Sequence, residues 1–222
     1  MILKNSLKKY NFIVFDCDGV IFDSNSLKSK AFVKTLEKAG IDQSTISKFI
    51  VYHEENGGIS RYKKFKILIT DLLKNEFDEN LYQSLLRNFS LECIALYKEV
   101  NFTEYFLQLM EELSSLDKNL YVASGSDEKE LRIVFKDRGI DQYFSGIFGS
   151  PKTKEMCVQE IIELENNSDG IMIGDSVKDL EAARLKKLNF LGILKYSDRK
   201  RQLNDLVDQL EYEKINSFKD LV

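Results

Sequence analysis

The chain has 222 residues, 43% of them hydrophobic and 31% charged, with a formal net charge of −4. That length allows a sizeable core in one large or two modest domains. The charge balance argues against nucleic acid or an anionic membrane as partner, since either needs a basic face, and no apolar run approaches membrane-spanning length.

Three cysteines, Cys17, Cys93 and Cys157, show neither pairing nor metal-ligand spacing and fit a reducing cytoplasm. With His53 the only histidine, a Ser-His-Asp triad or a histidine-rich zinc site would have to rest on that one residue. Met1 to Asn11 carries lysines and lacks the long apolar stretch and cleavage site of a signal peptide. The expected location is the cytoplasm.

Phe12 to Phe15 reads as a fully buried strand that delivers Asp16 and Asp18 at its C-terminal end, where Gly19 lets the chain turn away. From about Asn25 to Lys98 only helical patterns follow. Ala31, Phe32, Thr35, Leu36 and Ala39 share one face, and Gly40 is a natural stop. A second helix is expected over Ser44 to Tyr52, then a loop from His53 to Gly58. Ile59, Tyr62, Phe65, Ile69, Leu72 and Leu73 make a third stripe, and Leu81, Leu85, Phe89, Cys93 and Leu96 a fourth.

From Phe102 onward helix and strand alternate. Helices are expected around Phe106 to Leu113, after Asp127 (with Glu130 completing its cap), over Thr153 to Glu163, and through Ala182 to Leu185. Strands are expected at Leu120 to Ala123, Gly146 to Gly149, Gly170 to Ile173 and Phe190 to Leu194, with a charged tail of helix plus a short end piece. Repeating units of this kind imply an α/β fold, a parallel sheet with helices on both faces. The expected division is a core of residues 1–24 and 99–222 with a helical insertion at 25–98.

In such sheets ligands bind at the carboxyl ends of the strands. Those ends carry Asp16 and Asp18, then Ser124, then the Pro151-to-Lys154 loop, then Asp175 with Asp179. Crowded carboxylates repel one another, and a hard dication such as Mg²⁺ resolves the repulsion. Lys152 and Lys154 add positive charge, and Ser124 a hydroxyl donor at a helix start. Carboxylate nucleophile, metal, lysine and hydroxyl make a phosphoryl-transfer set.

The motifs Asp16-x-Asp18-Gly19-Val20 and Gly174-Asp175-x-x-x-Asp179, with Ser124 and a lysine between them, resemble those of the haloacid dehalogenase superfamily, phosphatase branch. The resemblance implies a Rossmann-like core with a helical cap. It implies that Asp16 attacks phosphorus, that Asp18 protonates the leaving oxygen and then activates water, and that Ser124 and a lysine steady the phosphoryl group. It implies Mg²⁺ held by Asp16, Asp175 and the backbone carbonyl of Asp18, with Asp179 in support. Lys152 and Lys154 both qualify for the lysine; Lys154, at the start of the next helix as in many relatives, is favoured.

In the cap the segment Asn56-Gly57-Gly58-Ile59-Ser60-Arg61 stands out. Gly58 and Gly125 are candidate substrate-contacting glycines. The Gly-Ile-Ser-Arg run resembles the specificity loop of β-phosphoglucomutase-like members, where the arginine binds substrate phosphate; the plainer reading is a solvated Arg61 after a glycine loop. Lys64 is expected at the surface and His53 outside the site. Those mutases carry a histidine shortly after the first motif, where this chain has Lys28. Hydrolysis of a small phosphorylated metabolite, a phosphosugar or phosphoglycolate-like acid, is therefore favoured over a phosphomutase, and a non-catalytic binding protein has no support. A monomer or weak homodimer is expected.

Overall fold

β1 (Phe12–Phe15) is buried along its whole length because the sheet is covered on both sides. Its side chains alternate: Phe12 and Val14 enter one apolar cluster, Ile13 and Phe15 the other. These and all other positions come from a computed structural model that describes residues 7–116 and 118–222. The reading of the N-terminal stretch falls largely on residues 1–6, outside those described.

After β1 come four helices, α1 (Asn25–Lys38), α2 (Gln43–Glu55), α3 (Arg61–Ile67) and α4 (Glu79–Glu99). The chain then alternates α5 (Phe106–Ser114), β2 (Asn119–Asp127), α6 (Glu128–Asp137), β3 (Gly146–Ser150), α7 (Lys154–Glu165), β4 (Gly170–Gly174), α8 (Val177–Leu185), β5 (Asn189–Ile193), α9 (Lys200–Gln209) and β6 (Glu213–Ile215). The strands form one sheet in the order β3-β2-β1-β4-β5-β6, and every pairing is parallel. Helices α5 and α6 pack on the Ile13 face, and α7, α8 and α9 on the Phe12 face. The expected Rossmann-like fold is present.

Chain order reverses at β1, which lies between β2 and β4. The crevice at such a switch point is where open α/β sheets bind ligands. Here it is flanked by Asp16 after β1 and Asp175 after β4.

The four inserted helices pack around Phe32, Phe49, Phe65 and Phe89, with the Phe32 and Phe89 rings stacked at 3.9 Å. Each such buried side chain contributes about 1.5–3 kcal/mol. The cluster is continuous with the Ile13 side of the sheet. The third stripe is not one helix: α3 gives way to a π turn at Leu68–Leu72. No helix among the described residues is long and apolar enough to cross a membrane.

Candidate active site

Three carboxylates, Asp16, Asp175 and Asp179, converge at the carboxyl end of the sheet. All are buried, and one oxygen from each lies within 4.8 Å of the others. Burial, then Asp179, pushes the Asp16 pKa up to about 7; burial, then Asp179 and Asp16, drives Asp175 well above the usual carboxylate range. Asp179 is held on both oxygens. Oδ2 accepts from the Ser176 backbone N–H at 2.9 Å and the Ser176 hydroxyl at 2.6 Å, closing the capping box of α8, while Oδ1 pairs with Lys154. Asn25, in the first turn of α1, donates to Asp175 Oδ2 at 2.7 Å.

Lys154 opens α7 and is buried between Asp16, at 2.9 Å, and Asp179. Burial works against its charge, but the two carboxylates prevail and hold its pKa well above the ordinary lysine value. Its ammonium attracts Asp16 Oδ1 off the line of a hydrogen bond, so that buried oxygen has no hydrogen-bond partner. Lys152 lies away from this cluster, on the surface with Glu160 and Glu128.

The unsatisfied Asp16 oxygen and three converging carboxylates fit a small hard dication of the Mg²⁺ type. Asp16 and Asp175 offer side-chain oxygens; both oxygens of Asp179 already have partners, Ser176 and Lys154. The Asp18 side chain turns the other way. It accepts from Ser24 Oγ and Tyr97 Oη at 2.6 Å each and from Ser126 Oγ at 2.9 Å, and it pairs with Lys28. Burial alone raises its pKa; the Lys28 charge, with hydrogen bonds from Lys28, Ser24 and Tyr97, overrides this and holds it well below the carboxylate range. Only its backbone carbonyl remains for a metal.

Ser124 is buried within β2, which runs on to Asp127, so it lies in the strand and not at the expected helix start. Its Oγ accepts from the Ser126 backbone N–H at 3.1 Å, and its own proton has no acceptor among the described residues. Gly19 turns at φ +76°, and a Cβ there would stand 2.2 Å from Asp175 Oδ2. The core meets the insertion closely at Gly125 of β2, where a Cβ would lie 2.4 Å from the carbonyl oxygen of Gly58. Gly125→Ala therefore unseats the Gly57-Gly58 loop. The expected result is a fall in kcat/KM of about 100-fold, the scale of a 1 Å displacement at a reacting centre; steady-state kinetics equal to the parent protein would show that the seat is not needed.

Asp16, Asp18, Asn25, Gly58, Gly125 and Asp175 line a cleft of about 230 Å³ between the sheet rim and the inserted helices. A family model described as haloacid dehalogenase-like hydrolase matches residues 13–193. The chain belongs to that family.

Among haloacid dehalogenase-like proteins, a phosphoglycolate phosphatase of Aquifex aeolicus (strain VF5) is 26% identical over 186 residues, covering 78% of this chain and 79% of its own. A structure described as a predicted phosphoglycolate phosphatase, from Haemophilus somnus 129PT, superposes with a TM-score of 0.76 at 17% identity, covering 96% of both chains. The β-phosphoglucomutase of Clostridium difficile gives 0.74 at 19% identity, over 96% of this chain and 93% of its own. At such identities the superpositions establish the fold.

Three expectations for the insertion change in this haloacid dehalogenase-like chain. Arg61 is neither solvated nor free: its guanidinium grips Glu130 of α6 at 2.7 and 2.8 Å and lies over the Phe89 ring, while still lining the cleft. Lys64, expected at the surface, is 2% exposed, and His53 belongs to α2 and lines the same cleft. Sequence reasoning also passed over Lys28, Tyr97 and Ser126 as partners of Asp18. Two signals were available: Lys28 stands where the mutases keep a histidine, and Lys64 follows Arg61 by three residues, on the same side of a helix.

Proposed function

We propose that this hydrolase is a phosphatase that cleaves a small phosphorylated metabolite through an aspartyl-phosphate on Asp16. The observation that carries the reading is Asp16 itself, a buried carboxylate at the switch point, with a lysine on one side and a metal-type acidic group on the other. An Asp16 oxygen attacks phosphorus while the bond from phosphorus to the substrate oxygen breaks. Asp18 gives that oxygen its proton, then takes one from the water that hydrolyses the acyl phosphate. Lys154 and the free Ser124 O–H meet the oxygens of the transferring group.

Asp18 must gain a proton to act as the acid. An incoming phosphate dianion competes for the Lys28 ammonium, and once that pairing weakens, burial raises the Asp18 pKa. Mg²⁺ held by Asp16, Asp175 and the Asp18 carbonyl, with Asp179 in support, would neutralise charge on the phosphoryl oxygens and nucleophile. Residues 25–98 act in this reading as a cap that sets the substrate. A two- or three-carbon phosphate ester suits the cleft volume and the curated relative's name; a phosphoglycolate-like acid is favoured over a phosphosugar.

The test is phosphate release from a panel of phosphorylated metabolites with and without Mg²⁺. Release confined to one or two compounds supports the phosphatase. Isomerisation of a sugar phosphate on adding a bisphosphate, with little release, would turn the reading to a mutase. The metal has its own check. Mg²⁺ at 100 times its Kd stabilises a one-site protein by about 2.7 kcal/mol, about 5–10 °C in Tm at this size. Calorimetry at pH 7.5 is expected to show that gain and its loss in Asp175→Asn; an equal gain in both proteins would move the site elsewhere.

A further inference from the structure

Lys64 and His53 form a buried pair on the cleft wall that the hydrolytic steps do not use. Lys64 Nζ lies 2.6 Å from His53 Nδ1 and 3.4 Å from the His53 carbonyl. The two residues are 2% and 7% exposed. Both line the cleft, with Phe32 and Phe89 beside them.

The other shielded cations in and beside the cleft are matched: Arg61 has Glu130, the partly buried Lys28 has Asp18, and Lys154 has Asp16 and Asp179. Lys64 is not matched. Among the described residues no carboxylate oxygen lies within 4.0 Å of its Nζ. Asp18 and Asp198 act on it only at longer range, and burial, then Lys28, lowers its pKa to about 7.

Its neighbour is unfulfilled as well. In its charged form Lys64 only donates, so His53 Nδ1 then accepts and the ring proton sits on Nε2. Burial, then Lys64, keeps the imidazole neutral. Nε2 is buried and has no hydrogen-bond partner. A buried lysine without a carboxylate and a buried ring nitrogen without a partner thus stand side by side on one wall of the cleft. The missing component is an anionic oxygen acceptor.

We propose that Lys64 Nζ and His53 Nε2 form a subsite for a second anionic group on the substrate, a carboxylate or a phosphate, remote from the phosphoryl group that meets Asp16. The inference rests on the phosphatase reading for the first anion and narrows the substrate to doubly anionic esters. A charged partner restores the balance that the fold leaves open at Lys64, and it accepts the His53 proton. A neutral alcohol at that position would leave the ammonium uncompensated.

The test pairs 3-phosphoglycerate with glycerol 1-phosphate, which differ by a carboxylate against a CH2OH, and glycerol 1,3-bisphosphate with the same monophosphate for the phosphate arm. The parent protein is expected to prefer one doubly anionic ester by at least 30-fold in kcat/KM, and whichever arm shows it names the anion. Lys64→Met should erase most of that preference, losing at least tenfold more on the doubly anionic ester than on p-nitrophenyl phosphate. His53→Gln, which keeps an N–H near the place of Nε2, should retain more of it than His53→Phe.

Affinity for the same esters is measured calorimetrically in Asp16→Asn and in Asp16→Asn/Lys64→Met, with circular dichroism to confirm folding. A Kd at least tenfold weaker in the double variant supports the subsite even if no ester is hydrolysed, in which case the phosphatase reading alone fails. Equal affinity for singly and doubly anionic esters, or equal losses on all of them in both Lys64 and His53 variants, overturns the subsite and leaves the phosphatase reading intact.

Discussion

Asp16→Asn is expected to abolish phosphate release, with a loss of at least about 1000-fold in single-turnover experiments, because the amide cannot replace the carboxylate as nucleophile. The fold survives. Asp16 is a carboxyl whose folded pKa is raised, to about 7, by burial and Asp179. Such a group binds more protons in the native state than in the unfolded one, so metal-free stability falls as pH rises from about 4 to about 7. Asn removes that contribution. In the absence of metal, the Tm of the variant at pH 8 should equal or exceed that of the parent protein, with a flatter pH dependence. Retained turnover would refute the nucleophile assignment; a collapse of Tm would mean that Asp16 supports the fold through Lys154 more than it strains it.

Lys154→Met carries the second large effect, on activity and stability together. The ammonium is buried between Asp16 and Asp179, and removing one partner of a buried pair costs about 3–5 kcal/mol because the remaining charge is stranded. Urea denaturation at pH 7.5 should show a loss of about 3 kcal/mol, and kcat should fall at least about 100-fold as a phosphoryl-oxygen donor disappears. Lys152→Met is the control. Its partners Glu160 and Glu128 are at the surface, where such pairs are worth about 0–1 kcal/mol. If Lys152→Met proves the more damaging, the choice between the two lysines is reversed.

Much of this arrangement was legible in the sequence because it is local. A four-residue apolar strand ending in acids, a Gly-Asp at the end of another strand and Asp127 three residues before Glu130 each have a short-range signature, and the structure has all three. Strand β6 escaped because three residues at a sheet edge, Glu213–Ile215, carry almost no apolar pattern. The insertion was harder for a different reason. Arg61 and Glu130 are 69 positions apart, and nothing near either residue indicates that they meet. Periodicity could place Lys64 on a helix but could not say that the exposed-looking side of that helix faces a cleft. Which charges are matched and which are left over is a property of tertiary contact alone.

The helix that begins at Arg61 is fastened twice to the first turn of α6, by Arg61 to Glu130 and by Tyr62, whose hydroxyl donates to Asp127 at 2.6 Å. That turn directly continues β2, which carries Ser124. Module exchange within the family is constrained accordingly. A foreign helical insertion placed after β1 leaves Glu130 buried without its cation unless it brings an arginine at the same place, and these four helices leave Arg61 stranded in the same way when moved to another sheet. The unit of transplantation is therefore the inserted helices together with the start of α6, and chimaeras that exchange the helices alone lose both the Arg61–Glu130 pair and the Tyr62–Asp127 bond.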